Sequence, residues 1–600
     1  RHQNYNPMKR IQFLFICLFL FALPLKAQES IEFKIEALSK NPDNRKEKER
    51  LDQLADLYFE FKLLSDPELN IPTRQTEWRD FSDSGIKRRR DGLELLSKAV
   101  KSIDRSGLGR EDQLNYDVLK NTIEIENEGE KFPYQLMPIT NNLFSSYHQR
   151  IVNFSTRTAI QTNKDVDDFL IKLGKIPKLI DQLIGLMDKG IEMGIMPSKA
   201  SLKGVPDQLQ NMRDNDLFLS NLNAYLSKKQ TAYSEEITDK AMGILSGSVF
   251  PAFEKLQSYM EKSYIPNARE SVGWKDIPDG ESWYNYRIKV ETTTSLPFHQ
   301  IHEIGLREVK RIRAEMDSLI QSTGFTGSFD EFNTFLRTDP RFFFEEPAQL
   351  LDAYRAIAKK IDPELPKMFG KLPRMPYGVF PVPEIREKYA TTAYYSPSSA
   401  SSGRAGIFYA NTYDLMSRPK WEMEALTIHE AMPGHHLQIS LAQEMEDVPE
   451  FRKYVRYTAF SEGWGLYSES LGDEMGFYKD PYSKFGQLTY EMWRAIRLVV
   501  DTGIHGMGWS RQEAIDYFKG NSAKTEHDIT VEIDRYIAWP AQALAYKVGE
   551  LKIKELRAAA EQQLGEKFDI RMFHDELLSF GALPLSILEE RMREWIISLK

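Results

Sequence analysis

A proline followed by a glycine, Pro433-Gly434, interrupts a stretch otherwise written for buried helix. Upstream, Pro419 suits a first helical turn, and Trp421, Ala425 and Ile428 then fall at helical spacing, which carries His429-Glu430 on the same helix. Proline has no backbone N–H to donate and its ring collides with the preceding turn, while glycine reaches dihedrals that other residues avoid. The chain is therefore expected to bulge or break at 433, which re-aims the residues beyond it. The first two side chains past the break are His435 and His436.

A histidine and glutamate on a buried helix make the first half of a zinc-hydrolase signature. In its usual form a second histidine stands four residues after the first, so that both imidazoles share one face and one zinc, with the glutamate beside them to activate water. Proline occupies that fourth position here, and the next histidines come six and seven residues on. On a straight helix His435 would point away from His429, and His436 would sit about 10 Å along the axis. A break at Pro433-Gly434 is expected to return His435 to the side of His429, with His436 as the alternative second ligand. A third ligand is sought downstream, where Phe460-Ser461-Glu462-Gly463-Trp464 opens a helical segment and Glu469 shares the face of Glu462. Glu462 is the better candidate. Two histidines and a glutamate would hold one zinc ion with an open position for water, and Glu430 would serve as general base.

The formal net charge of −9 is modest for 600 residues, and the basic run Lys87-Arg88-Arg89-Arg90 is followed at once by Asp91 and Glu94, which argues against a nucleic-acid partner. Near the start, Met8-Lys9-Arg10 precedes an apolar run from Ile11 to Leu25 and then Lys26-Ala27-Gln28, the pattern of a signal peptide cleaved after Ala27. The residues before Met8 read as upstream sequence. The run is short for a membrane span, so the mature chain is expected to be exported, periplasmic or secreted, without a spanning segment. Cys17 is the single cysteine and lies mid-run rather than at its end, which disfavours a lipid anchor and leaves no disulfide after cleavage.

From Ile31 to about Tyr264 apolar residues recur at helical spacing, as in Leu51-Leu54-Leu57-Tyr58 and Ile176-Leu179-Leu183-Met187. Three units are expected: 1–27 as upstream residues and signal peptide, 28–270 as a helical scaffold lobe, and 271–600 as a catalytic lobe continuous with it. The punctuated segment from Ile265-Pro266 to Pro278-Asp279-Gly280 marks the boundary. Trp283 to Val290 alternates like a strand, helices are expected over 298–321 and 347–361, and two further strands over Tyr377–Val382 and Gly406–Asn411. The last of these would be an edge strand, bordered by Arg404 and Tyr409, able to pair with an extended peptide. The remainder is nearly all helix, so the class is mainly α with a small sheet.

The segment Thr427-Ile428-His429-Glu430-Ala431-Met432-Pro433-Gly434-His435-His436-Leu437-Gln438, together with Ser461-Glu462-Gly463-Trp464-Gly465-Leu466-Tyr467, resembles the bacterial family labelled domain of unknown function 885. Pro278-Asp279-Gly280, the run from Arg494 to Gly503, and Arg535-Tyr536 resemble it too. That family is grouped with gluzincin-like zinc metallopeptidases, and more widely it is similar to angiotensin-converting enzyme and thimet oligopeptidase. The resemblance implies a two-lobed helical zinc-peptidase fold with a small β-sheet beside a deep central cleft, and short peptides as substrates. It implies His429, His435 and Glu462 as zinc ligands, with the second ligand following a glycine as in Gly434-His435. It also implies Tyr536 as the donor to the tetrahedral oxyanion, with Arg535 beside it and His527 as a loosely matched substrate contact. The departure is the extra length between Glu430 and Gly434.

Arg494, Arg497, Asp501 and His505 succeed one another at spacings of three, four and four, a polar stripe on an apolar segment. It would bind a peptide carboxylate or form a buried Arg-Asp network. A core tyrosine on a helix running from Val531 to Leu551 is the alternative for Tyr536. The expectation as a whole is an exported zinc metallopeptidase, with a catalytically idle peptide-binding protein and a zinc hydrolase of non-peptide amides as alternatives.

Overall fold

The computed structural model describes residues 30–600 except 41–44, 69–75, 143–144, 388–390, 399–402 and 447. The signal-peptide segment and Cys17 lie outside the described residues. Most of the described chain is helical, with one three-stranded sheet. Among the described residues no helix is long and apolar enough to cross a membrane.

The elements that position the site are, in chain order, α1 (Gly280–Thr292), α2 (Phe298–Ser322), strands β1 (Tyr377–Pro381), β2 (Ala393–Ser396) and β3 (Gly406–Ala410), then α3 (Met423–Glu430), α4 (His435–Gln443), α5 (Thr458–Glu474), α6 (Pro481–Thr502), α7 (Glu526–Ala538) and α8 (Ala545–Leu564). Residues 283–290 are helical, not a strand. The buried positions of α1, Trp283, Tyr284, Ile288, Glu291 and Thr292, recur at three to five residues and make one helical face, which the alternation of aromatic residues conceals.

The sheet order is β1-β3-β2, with β1 parallel and β2 antiparallel to β3. Gly406–Ala410 is thus the central strand, and its main chain is paired on both sides. The expected edge strand is not there, and β2, which lacks a clear alternation, carries no strand signal in the sequence. Tyr409 stacks at 5.0 Å on Tyr394, and Arg404 donates to the Pro397 carbonyl. The anticipated helix from Val531 to Leu551 is two helices, parted where Pro540 removes a donor and Ala541 adopts φ 69°.

One large apolar core joins helices of residues 31–123 to the segments carrying α3, α5 and α8 and to the C-terminal helices. A second lies within residues 78–283, and a third gathers α2, α6 and α7. Helices α5 and α8 meet through glycines: a Cβ on Gly463 would stand 2.5 Å from the Gly549 backbone. Only small residues permit that approach, and it fixes the height of α5 against the rest of the core.

Candidate metal centre

Helix α3 is buried on nearly every residue and ends at Glu430. Ala431 (φ −102°, ψ −115°) and Gly434 (φ −72°, ψ −126°) lie outside the helical region, and a new helix begins at His435. The backbone groups freed by the break are repaired locally: Gly434 N donates to the Ile428 carbonyl at 2.9 Å and His436 N to the Ala431 carbonyl at 3.1 Å. The indole of Trp464 on α5 donates to the Pro433 carbonyl at 2.9 Å and pins the turn. A Cβ at 434 would lie 1.9 Å from the His429 carbonyl oxygen, so the turn closes this tightly only around glycine.

The break brings His435 back beside His429, their rings 4.7 Å apart and nearly perpendicular. Glu462, near the start of α5, completes a group whose ligand atoms all lie within 4.8 Å of one another. The Glu462 carboxylate oxygen stands 3.4 Å from His435 Nε2 and 3.7 Å from His429 Nε2. These separations exceed the 2.7–3.2 Å of an N–H···O hydrogen bond. The edge of a tetrahedron of ligands at about 2.0–2.2 Å from zinc is about 3.3–3.6 Å; the 3.4 Å separation falls within it and the 3.7 Å one just outside it. The donor set, two imidazoles and one carboxylate, is one that suits zinc with an open position.

A second carboxylate orients the first of these imidazoles. Glu469, two turns after Glu462 and 1% exposed on its side chain, accepts from His429 Nδ1 at 2.7 Å, leaving Nε2 turned toward the group. A carboxylate in this place fixes the ring's tautomer and raises its basicity. The ring rests on α5 at Gly465, where a Cβ would meet its atoms at 2.8–3.1 Å. Burial pushes the His429 imidazole toward neutrality, but Glu462 and Glu469 more than reverse this and hold it at about 9. Burial likewise raises Glu462, and the two histidines outweigh it, keeping the carboxyl well below its usual range. A metal entering the group would therefore displace a proton.

His436 is not part of the group. Its Nδ1 is 2.8 Å from the Tyr395 hydroxyl and its Nε2 3.0 Å from the Met375 carbonyl, so both ring nitrogens serve to join α4 to the sheet. Burial lowers it to about 4, which keeps it neutral. Glu430 is half-buried at the end of α3, next to His429.

Tyr536 makes its hydrogen bonds with α6 and α7. Its hydroxyl donates to Glu532 at 2.6 Å and accepts from Arg497 Nε at 2.8 Å and the Trp493 indole at 3.2 Å. Burial raises it above the ordinary phenol range, so it keeps its proton. Arg535 pairs with the same Glu532, and His527 is exposed in the first turn of α7. The stripe on α6 divides into two halves. Asp501 accepts from the Tyr284 hydroxyl at 2.6 Å and from Ala541 N, and His505 Nε2 faces the Tyr536 carbonyl at 3.0 Å, so this half ties helices together. Arg494 and Arg497 form the other half: Arg494 Nη2 lies 3.8 Å from Glu469, and Arg497 binds Tyr536 and Glu532. The role of Glu469 is half visible in its seven-residue spacing from Glu462; that of Tyr546, which lies between the two arginines, leaves no periodic signal.

Residues 67–592 match the family described as bacterial protein of unknown function, DUF885. The chain belongs to this family. Among solved structures, this DUF885 chain is similar to one described as "the putative lipoprotein from Colwellia psychrerythraea", with 28% identity and a TM-score of 0.85 over 95% of this chain and 100% of that one. It also shares the fold of "a putative lipoprotein of unknown function from Shewanella oneidensis", with 15% identity and a TM-score of 0.71 over 90% and 99% of the two chains. No curated protein matches it.

Proposed function

We propose that this DUF885 protein is an exported zinc-dependent peptidase that hydrolyses short peptides, built as a two-lobed helical body with the site in a cleft between the lobes. The observation that carries the proposal is the convergence of His429, His435 and Glu462 across a break in the helix, with their ligand atoms all within 4.8 Å of one another. Bound there, zinc would lower the pKa of a water and polarise a carbonyl. Glu430, placed directly after the first ligand, would take a proton from the attacking water and return it to the leaving amine. Glu469 would hold His429 in the tautomer that keeps Nε2 free. Tyr536 would have to exchange its acceptor Glu532 for a developing oxyanion before it could act as the donor the family resemblance implies.

Export is supported by the Met8–Ala27 pattern and by the two similar structures described as putative lipoproteins. Those descriptions weigh against a chain without a lipid anchor, and fatty-acid labelling of a Cys17→Ala variant beside the native protein decides the point.

The purified protein should carry about one zinc per chain. Glu430→Gln should keep the metal and lose turnover of a mixed library of dipeptides and blocked peptides by about 10²–10⁴-fold. Turnover unchanged in that variant overturns the mechanism.

A further inference from the structure

Arg494 and Arg497 project from consecutive turns of α6 and are 7% and 4% exposed. They share two rings: the Arg494 guanidinium lies 5.4 Å from the Trp493 centroid and 5.9 Å from that of Tyr546, and Arg497 lies 5.1 Å and 4.5 Å from the same two. Arg535, from α7, joins them through Glu532, which it shares with Arg497. Trp493, Tyr546, Glu532 and Arg535 are half-buried, so the cluster has a face toward solvent.

Its charges do not balance. Glu532 serves two guanidiniums and also accepts from the Tyr536 hydroxyl. Arg494 has Glu469 at 3.8 Å, beyond hydrogen-bond reach, and that carboxylate oxygen is already committed to His429 at 2.7 Å. The nearby Lys524 is neutralised by Glu422 at 2.7 Å. Three directed donors remain buried with no partner among the described residues: Arg494 Nε, Arg497 Nη1 and Arg535 Nε. Surplus buried positive charge with unmade hydrogen bonds is costly unless an anion completes it. A planar carboxylate matches guanidinium donors in geometry as well as in charge.

The cluster is also placed to matter, since Arg494 is two contacts from His429, by way of Glu469. An extended peptide advances about 3.3–3.6 Å per residue, so a carboxylate held here belongs to a residue only a few positions beyond a carbonyl at the ligand group. Resting on the peptidase proposal above, we propose that Arg494, Arg497 and Arg535, gathered around Trp493 and Tyr546, form the subsite for the substrate's free α-carboxylate. The enzyme then cleaves near the carboxyl end of short peptides.

The test uses pairs of short peptides identical except for a free acid or an amide at the carboxyl end, given to the zinc-loaded full-length protein. The free acids should show a kcat/KM roughly 10- to 100-fold above the amides, and in Arg497→Gln and Arg494→Lys the ratio should collapse toward one. Equal rates for acid and amide in the native protein overturn the subsite and leave the peptidase proposal standing. If neither peptide is cleaved, the peptidase proposal falls, and calorimetry of the same pairs on the native protein judges the subsite alone. Binding of the acid but not the amide upholds it; equal binding of both, or of neither, overturns it. Because the native protein supplies the deciding comparison, a variant that fails to fold does not rescue the idea.

Discussion

Two buried charge clusters lie against helix α6, and they are built on opposite principles. Around Lys547, whose side chain is fully buried, three carboxylates converge: Glu550 at 2.6 Å, Glu491 at 2.8 Å and Glu308 at 3.1 Å. Arg311 binds Glu308 and Glu491, and Lys554 binds Glu550, so three cations meet three anions. Around Arg494 and Arg497, by contrast, guanidiniums outnumber the carboxylates paired with them, and among the described residues the donors Arg494 Nε and Arg497 Nη1, Glu469 Oε2 and, in the ligand group, His435 Nδ1 find no hydrogen-bond partner. The first cluster is closed in charge: Glu550 Oε2 makes no hydrogen bond among the described residues but lies 2.6 Å from Lys547 Nζ, and the cluster joins α2, α6 and α8. The second is open, and openness beside a set of metal-ligand atoms is what a site that must accept something else requires.

The largest expected effect falls on two neighbouring histidines, of which His435 belongs to the ligand group and His436 does not. If zinc binds as proposed, His435→Ala should take it from about one per chain toward zero, because one of the three proposed ligands would be gone. His436→Ala should leave the stoichiometry near one while loosening α4 from the sheet, since its partners are Tyr395 and Met375. Metal analysis after dialysis reads both, and metal loss in His436→Ala alone would reverse the assignment. Next in size is the closed cluster: Lys547→Ala strands buried carboxylates and should cost about 3–5 kcal/mol in denaturant unfolding. Arg494→Gln, which removes a cation from the surplus side, should cost less than about 2 kcal/mol. Equal costs would mean that the two clusters do not differ in kind.

Asp501, one turn beyond Arg497 on α6, is held by hydrogen bonds and makes no ion pair among the described residues. Burial pushes its carboxyl up to about 7, and the hydrogen bonds from Tyr284 and Ala541 recover only part of that. A folded-state pKa above the unfolded value near 3.9 means that the folded protein binds the proton more tightly. The stabilisation is fully present below about pH 4 and is lost as pH rises through about 7, on the order of a few kcal/mol. Asp501→Asn should flatten that part of the stability profile. An unchanged slope in the variant would show that other groups set it.

Much of the site is legible because it is written in spacings. The helix break comes from a missing N–H at Pro433 and a Cβ that Gly434 does not have, and those local facts redirect His435 whatever the rest of the chain does. Glu462 can be found because helical periodicity carries it seven residues from Glu469 on one face. Other features depend on partners remote in sequence. That β3 is central rather than an edge is decided by β2, a segment of four residues with no clear pattern. Residues 283–290 alternate in sequence yet bury a helical face, because aromatic residues stand on half-buried as well as buried positions of α1. The separation of Arg494 and Arg497 from Asp501 and His505 is invisible in their even spacing, since Glu532, Tyr546, Tyr284 and Ala541 assign each half its partners.

The smallest expected effect probes Glu469, which touches both the ligand group and the open cluster. Glu469 Oε1 accepts from His429 Nδ1 at 2.7 Å and lies 3.8 Å from Arg494. Glu469→Gln keeps the shape and can still accept through its amide oxygen, but it removes the charge that raises the ligand's basicity. Zinc affinity should fall about 10- to 100-fold, as for other carboxylates behind a histidine ligand. The same substitution leaves Arg494 with no carboxylate at all, so the preference for a free-acid peptide over its amide should hold or grow while metal binding weakens. Titration with a competing chelator gives the first quantity, and paired-peptide kinetics at saturating zinc give the second. A parallel fall in both would mean that Glu469 supports the arginines as well as the histidine, and that the open cluster and the ligand group are one unit rather than two adjoining ones.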